Sequence, residues 1–535
     1  MGPQSNMLLV TALALLLTSA NAVAPVVGLA YGKYKGKDLG NGVTQWLGMR
    51  YAAPPVGDLR FMPPQDPVRS RQTKDASRWK LKCIGGGASS RLIGKTQSED
   101  CLFINVFAPT NATTKSKLPV FFYIQGGGFN SNSRPTINGT ALINASDMNM
   151  VVVTINYRVS IFGFLTYGDK MQPNIGLLDQ RKALQWVNKH IHKFGGNPKH
   201  VTIGGSSSGG ASVAFHLTAY GGRDDRLFHA AAAESMSILP TSTLEGAAYQ
   251  GNSVAAWVNC TDGDVIACLR NKTVYEIQDA NFVFPYPGST TLPESMWGPV
   301  VDGTFVQDAL YSSFAQGKFV RVPSIIGATT NEGYGFLHPP NPSSQSEVNS
   351  FFQAEYPLLN STQMDQINAL YPNQNTACPS SGCFTGQMAD SYGDTRFMCP
   401  GVNFSGLMSS WMPNKTWNYW YNVQDTVGGR VSHSAAVYAV WGPQFASGSP
   451  PLSYLAGGIN ANETTVVQAY WASFIRSYDP NTFRYANTSL WGAYSTAVRQ
   501  RMVFDSAGQT STQNMTQITQ DRCEYFGSIG TLVRQ

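Results

Sequence analysis

The 535-residue chain is short of charge. Asp, Glu, Lys and Arg make up 13% of it, against about a quarter in an average globular domain. Lys+Arg 38 against Asp+Glu 32 leaves a formal +6. That excess is spread without a basic run, which excludes nucleic acid as a partner. Beyond the N-terminal segment, no stretch reaches the roughly 18–20 unbroken apolar residues of a membrane span. The eight cysteines include no Cys-x-x-Cys pair, so a zinc ribbon or finger is excluded. There is no internal repeat and no linker-like block that would divide the chain. Hydrophobic residues, by contrast, reach 42% and aromatics 12%. That is enough for a large core and excludes a disordered or low-complexity protein.

The N-terminus has the pattern of an export signal. Residues 7–17 form a short apolar run, and Ala20-Asn21-Ala22 follows as a small-x-small site. The expectation is a signal peptide over 1–22 and a mature domain over 23–535. Eleven Asn-x-Ser/Thr sites, from Asn111 to Asn514, agree with export. A glycan coat would also keep so weakly charged a protein in solution. All eight cysteines could pair. Cys260 and Cys268 are neighbours in sequence, as are Cys378 and Cys383; Cys83 and Cys101 bracket a Gly/Ser-rich loop; Cys399 and Cys523 are far apart. Sequence permits 105 connectivities.

Two β-branched and aromatic runs, 120–124 and 150–155, are strongly apolar. Strands buried on both faces read this way. From Leu177 to Phe194 the apolar spacing becomes helical, and Gly195-Gly196-Asn197-Pro198 ends it. Val201-Thr202-Ile203 reads as a short strand, and 211–217 as a helix. Strand, helix and strand in this order predict a doubly wound α/β architecture in one large domain.

Gly205-Ser206-Ser207-Ser208-Gly209 is a Gly-x-Ser-x-Gly motif between that strand and that helix. This is the setting of a nucleophile elbow, where glycines make room for a sharply turned serine. Ser207 is the central serine. Gln125-Gly126-Gly127-Gly128 follows the run at 120–124. Its glycines let backbone N–H groups approach a substrate oxygen, and Gly127, Gly128 and Ser208 are the expected oxyanion donors. A serine hydroxyl needs a base. In the order serine, acid, histidine, only His338 and His433 of the seven histidines lie far enough downstream; His433, in a polar stretch before an aromatic segment, is preferred. The acid must lie between. Glu332, after the strand-like 324–327 and beside Gly333, is a candidate, with Asp302 and Asp425 as rivals that spacing does not separate. Tyr334, Phe336 and Trp441 are aromatic residues near the expected site, each read more readily as core packing.

Several further motifs together resemble the type-B carboxylesterase family, which includes fungal lipases, cholinesterases and non-catalytic adhesion proteins. The motifs are 51–61 (Tyr-Ala-Ala-Pro-Pro-Val-Gly-Asp-Leu-Arg-Phe), 99–106 (Glu-Asp-Cys-Leu-Phe-Ile-Asn-Val), Asn156-Tyr157-Arg158, 174–181, and 201–210 around the serine. The resemblance covers essentially the mature chain. It implies an α/β-hydrolase fold with a large, mostly parallel central sheet flanked by helices, and a triad of Ser207, Glu332 and His433. It implies disulfides Cys83–Cys101, Cys260–Cys268 and Cys399–Cys523, with Cys378–Cys383 an additional local one. No metal or organic cofactor is implied.

The departures narrow the substrate. The family often has Glu before the serine, Ala after it and Gly after the histidine; here these are Ser206, Ser208 and Ser434. The loop 83–101 has no tryptophan, the residue that cholinesterases of the family carry there. A choline cation would lose both a charge partner and an aromatic platform. The same loop is short and polar, unlike the hydrophobic lid of the family's fungal lipases. The expected activity is therefore hydrolysis of soluble carboxylic esters. Long-chain lipid or sterol esters and aryl (hydroxycinnamoyl) esters are the alternatives, and a non-catalytic binding homologue is the alternative of another class.

Overall fold

The computed structural model describes residues 25–535, apart from 288, 290, 291, 338, 340, 374–376 and 379. The expected signal peptide and the candidate His338 lie outside the described residues.

The core of the molecule is an 11-stranded sheet. Its strands are β1 (Lys37–Asp38), β2 (Val43–Arg50), β3 (Phe103–Pro109), β4 (Leu118–Ile124), β5 (Val151–Ile155), β6 (Gly196–Ser206), β7 (Ala230–Glu234), β8 (Ser324–Thr329), β9 (Thr416–Asn422), β10 (Gln500–Asp505) and β11 (Gln509–Asn514). In space the order is β11-β10-β9-β8-β7-β6-β4-β5-β3-β2-β1. The pairings from β5 through β4 and β6 to β10 are parallel, and the four at the two flanks are antiparallel. The sheet is thus mixed: parallel through its middle and antiparallel at its two flanks, with short hairpin links only at β1–β2 and β10–β11.

Strand β4 shows why the sequence reads as it does. Val120, Phe122 and Ile124 join the hydrophobic cluster on one face, and Phe121 and Tyr123 join the cluster on the other. Alternate side chains point to opposite faces, so a strand covered on both sides must be apolar throughout. The expected helix at 177–194 is Ile175–His190 followed by a short turn of 3₁₀-helix, Ile191–Phe194. The serine motif joins β6 directly to the helix Ser208–Gly222. No helix among the described residues is long and apolar enough to cross a membrane.

Disulfides join Cys83 to Cys101, Cys260 to Cys268, Cys378 to Cys383, and Cys399 to Cys523. The last spans 124 residues and ties the helix Cys399–Trp411 to the helix Gln517–Ser528. A bridge closing so long a loop removes much freedom from the unfolded chain, on the order of 4–5 kcal/mol in the chain-entropy account.

Glu234, the last residue of β7, is fully buried, and neither carboxyl oxygen has a hydrogen-bond partner among the described residues. Burial pushes its carboxyl up to about 8, against the opposing pull of the Arg134 charge. The folded state therefore favours the protonated acid. Below the ordinary value of 4.5 the group is protonated in both folded and unfolded chains and costs nothing. As pH rises towards 8 the unfolded chain releases its proton and the fold loses stability, by an amount on the order of a few kcal/mol. Glu234→Gln is expected to flatten the decline in melting temperature between pH 5 and pH 8. Melting curves for both proteins across that range check this; equal slopes would show that Glu234 is ionised in the fold.

Candidate active site

The expected functional residues meet at the C-terminal ends of the parallel strands, where open α/β sheets present their sites. Gly126, Gly127 and Gly128 follow β4, Ser207 follows β6, Glu332 lies just after β8, and His433 lies in the loop after β9. Gly126, Gly127, Gly128, Ser207 and His433 share one cavity of about 570 Å³.

Ser207 sits at φ 60°, ψ −128°, a conformation that side-chain-bearing residues rarely adopt. Two backbone hydrogen bonds hold the strained residue: its N–H donates to the Glu234 carbonyl (2.9 Å), and its own carbonyl accepts from Ser237 N–H (3.1 Å). The turn is so tight that a Cβ on Gly205 would lie 2.3 Å from the Gly209 carbonyl oxygen, and one on Gly209 would lie 2.0 Å from that of Ile124. The motif's glycines are therefore required by backbone contact. The peptide N–H of Ser208, at the first turn of its helix, is one of the donors that a helix leaves without an internal acceptor.

The glycine loop lies directly against the elbow; a Cβ on Gly126 would come within 2.7 Å of the Ser207 Cβ. Gly127 and Gly128 take φ 122° and 62°. The Gly127 carbonyl accepts from Asn130 and Ser131 N–H, both at 2.9 Å. The N–H groups of Gly127 and Gly128 have no protein acceptor among the described residues. Gln125 clamps the loop, accepting from Arg134 N–H at 2.8 Å and donating to the Ile155 carbonyl.

Glu332 and His433 are joined by a 2.5 Å hydrogen bond between Oε2 and Nδ1. The second oxygen of Glu332 accepts from Thr329 N–H at 2.6 Å, and the residue is only 2% exposed. Their two loops are also stitched by backbone: Asn331 N–H donates to the Val431 carbonyl (3.0 Å), and Val431 N–H to the Asn331 side chain (2.9 Å). His433 Nε2 is buried and has no hydrogen-bond partner among the described residues. An imidazole held at Nδ1 by a carboxylate, with Nε2 free towards a cavity that also contains a serine, has the arrangement of a general base. The rival acids are engaged elsewhere. Asp302 accepts from Asn174 and from the N–H groups of Thr304 and Val306; Asp425 accepts from Ser453.

Two departures noted in the sequence touch one another. Ser206 Oγ donates to Ser434 Oγ at 3.0 Å, linking the residue before the elbow serine to the residue after the histidine. Ser434 has φ 60°, which accounts for a glycine preference at this position. Of the aromatic candidates, Phe336 lines the cavity and packs edge-on against His433 at 5.0 Å. Trp441 is buried against Phe121 and Tyr123 as core, and Tyr334 lies under Arg430.

Sequence reasoning missed four contributors: Phe397, packed 4.5 Å from His433, and the charged cavity residues Arg134, Glu294 and Arg396. None lies in a motif, and only the fold brings them together. The loop between Cys83 and Cys101 does not line the cavity; it packs on Asn130 and Asn281.

Gly209→Ala is expected to prevent accumulation of folded protein, because its Cβ has no space to occupy. Gly28→Ala, with nothing within 4 Å of the added Cβ, is the control. Soluble yield and far-UV circular dichroism of the two variants decide; a Gly209→Ala protein that melts with wild type would refute the contact argument.

The Carboxylesterase family model matches residues 23–526. The chain is 30% identical to Secreted lipase 4 of Gibberella zeae over 480 residues, covering 86% of this chain and 83% of that protein. It is 29% identical to the Para-nitrobenzyl esterase of Bacillus subtilis, covering 90% and 95%. Among solved structures, Aspergillus niger EstA superposes with a TM-score of 0.90 at 38% identity, covering 96% of this chain and 99% of that one. With the match running nearly end to end in sequence and in fold, the chain belongs to the carboxylesterase family and is a carboxylic ester hydrolase.

Proposed function

We propose that the protein is an extracellular serine esterase that cleaves soluble carboxylic esters through an acyl-enzyme on Ser207. The observation that carries this reading is the 2.5 Å Glu332–His433 contact, with a free Nε2 on the cavity that holds Ser207. Ser207 Oγ attacks the ester carbonyl as His433 Nε2 takes its proton. Glu332 holds the tautomer and stabilises the imidazolium. The N–H groups of Gly127, Gly128 and Ser208 receive the oxyanion, each worth several kcal/mol in such a site. His433 returns the proton to the departing alcohol, and water repeats the sequence to free the acid. No step calls on a metal or organic cofactor.

Two observations favour soluble esters over lipid surfaces. The cavity is not roofed by the 83–101 loop, and its lining mixes arginine, glutamate and serine with Phe336 and Tyr438. Those two rings keep aryl esters as a second reading. The secreted lipase among the relatives keeps long acyl chains as the rival. Export from the cell is supported by the four disulfides and by the eleven glycosylation motifs, nine of whose asparagines are exposed.

A p-nitrophenyl ester series from acetate to palmitate tests the reading. Wild type is expected to be fastest on short chains, and Ser207→Ala to lose several orders of magnitude in kcat with its fold intact. A Ser207→Ala protein as active as wild type would dismiss the proposed nucleophile, and a palmitate optimum would favour the lipase reading.

Glycan placement gives a second check. Asn403 lies in the helix Cys399–Trp411 and donates both amide hydrogens, to Tyr311 Oη (3.0 Å) and to the Cys523 carbonyl (2.8 Å). A glycan there would replace one of those hydrogens. Peptide mapping of the secreted protein is expected to find Asn403 bare while exposed sites such as Asn111 and Asn487 are modified; a fully occupied Asn403 would contradict this.

A further inference from the structure

The charged residues lining the catalytic cavity are Arg134, Glu294 and Arg396. Two of these cancel. Arg396 Nη1 lies 2.9 Å from Glu294 Oε2, its Nε donates to Ser237 Oγ at 2.9 Å, and Nη1 also donates to Tyr392. Arg134 is different. It has no carboxylate within ion-pair distance among the described residues, although it is half-buried. Its Nη1 donates to the carbonyls of Ala446 (3.0 Å) and Ser447 (2.6 Å), and its guanidinium lies over the Tyr438 ring at 4.9 Å. The Nε and Nη2 donors have no protein acceptor among the described residues. The side chain is therefore fixed in place with part of its donor fork open.

The neighbouring acid does not neutralise it. Glu234, which feels the Arg134 charge, keeps its proton near neutral pH because burial raises its carboxyl to about 8. Arg134 is also tied to the oxyanion loop: its N–H is held by Gln125, the residue before Gly126. Its position relative to the Gly127 and Gly128 donors is thus set by the loop itself. A partly desolvated guanidinium with open N–H donors binds carboxylate oxygens through charge-assisted hydrogen bonds.

We infer that Arg134 selects esters that carry a free carboxylate beside the scissile bond, with monoesters of short dicarboxylic acids as the substrate class. The inference rests on the reading of Ser207 as the nucleophile of this cavity. The ester carbonyl sits at Gly127 and Gly128, and the second carboxylate of the acyl part reaches Arg134. Ester cleavage then releases the alcohol and the dicarboxylate, with water as the only co-reactant.

The test compares kcat/KM for monoethyl succinate and monoethyl glutarate with kcat/KM for their neutral amides of the same shape, ethyl succinamate and ethyl glutaramate, in a pH-stat at pH 7. Taking the ratio within one protein cancels any loss of folded enzyme. Wild type is expected to favour the anions by roughly tenfold or more, the effect of one charge-assisted hydrogen bond. Arg134→Gln is expected to bring the ratio to about one, mainly through KM, and Arg134→Lys to keep a preference for the anion. Succinate is expected to inhibit wild type competitively and Arg134→Gln at least several-fold more weakly. A wild-type ratio at or below one, with the amides hydrolysed, overturns the inference and leaves the nucleophile reading standing. A ratio unchanged in Arg134→Gln, or lost equally in the Lys and Gln variants, assigns Arg134 to clamping the 446–447 loop and overturns it as well. No hydrolysis of any of the four esters by folded wild type overturns both readings.

Discussion

The constraint on which the rest depends is the backbone of Ser207, held at φ 60° and ψ −128° between a strand and a helix. A residue there costs on the order of 1–3 kcal/mol relative to relaxed backbone, and it persists because its surroundings over-determine it. Bare backbone at Gly205 and Gly209 allows the close approach. The neighbouring strand supplies the Glu234 carbonyl for the Ser207 N–H, and Ser237 caps the Ser207 carbonyl. These contacts need β4, β6 and β7 side by side and parallel, so that their C-terminal ends open on one edge. The sheet order follows from that requirement, and the helix Ser208–Gly222 must begin where its free N–H groups face the cavity.

The motifs that flank the sequence far from the serine have a physical role that the fold makes plain: they pair with one another. Arg60 of the first meets Glu99 of the second at 2.6 Å, with both side chains nearly buried, and Arg60 also donates to the carbonyls of Leu269, Arg270 and Lys272. Arg158 meets Asp179 at 2.6 Å in the interior, through Nη2 and Nε. Asp100, next to Glu99, binds Arg50 at the end of β2. A buried pair gains little over a hydrophobic replacement, yet loss of one partner leaves an uncompensated charge, at about 3–5 kcal/mol. Such pairs fix which loops meet. In a chain with so few charges, two of them pin the segment that carries the first disulfide.

This explains what the sequence made legible. The elbow, the glycine loop and the run of strands are local, and each needs particular residues within a few positions, so they can be read in order along the chain. Glu332 could not be separated from Asp302 and Asp425 by spacing, because the deciding contact is between loops 101 residues apart; the family resemblance pointed to it, and the Asn331–Val431 stitching gives the physical reason. Ser206 and Ser434 stood out as separate oddities of two motifs, and nothing local says that they bond across 228 residues. Arg134, Glu294, Phe397 and Arg396 left no signal, since a lone arginine or phenylalanine in a loop looks like any other. The mostly parallel sheet followed from the family resemblance, and its antiparallel flanks are where the pairing departs from parallel.

The environment of His433 brings a permanent cation close to the proposed base. Phe336 and Phe397 each touch the imidazole and also lie within 5.1 and 5.3 Å of the Arg396 guanidinium. An unneutralised arginine at that remove would oppose the imidazolium that the proposed mechanism requires, since like charges repel. Arg396 is paired with Glu294 and held by Ser237 and Tyr392, so its charge is balanced locally. Glu332, 2.5 Å away and shielded from water, is the carboxylate in direct contact with the proposed base. The two rings pack against the imidazole on one side and the guanidinium on the other. An arginine that would oppose the proposed proton transfer if unpaired thus serves instead to pack the rings beside the imidazole, its charge balanced by Glu294.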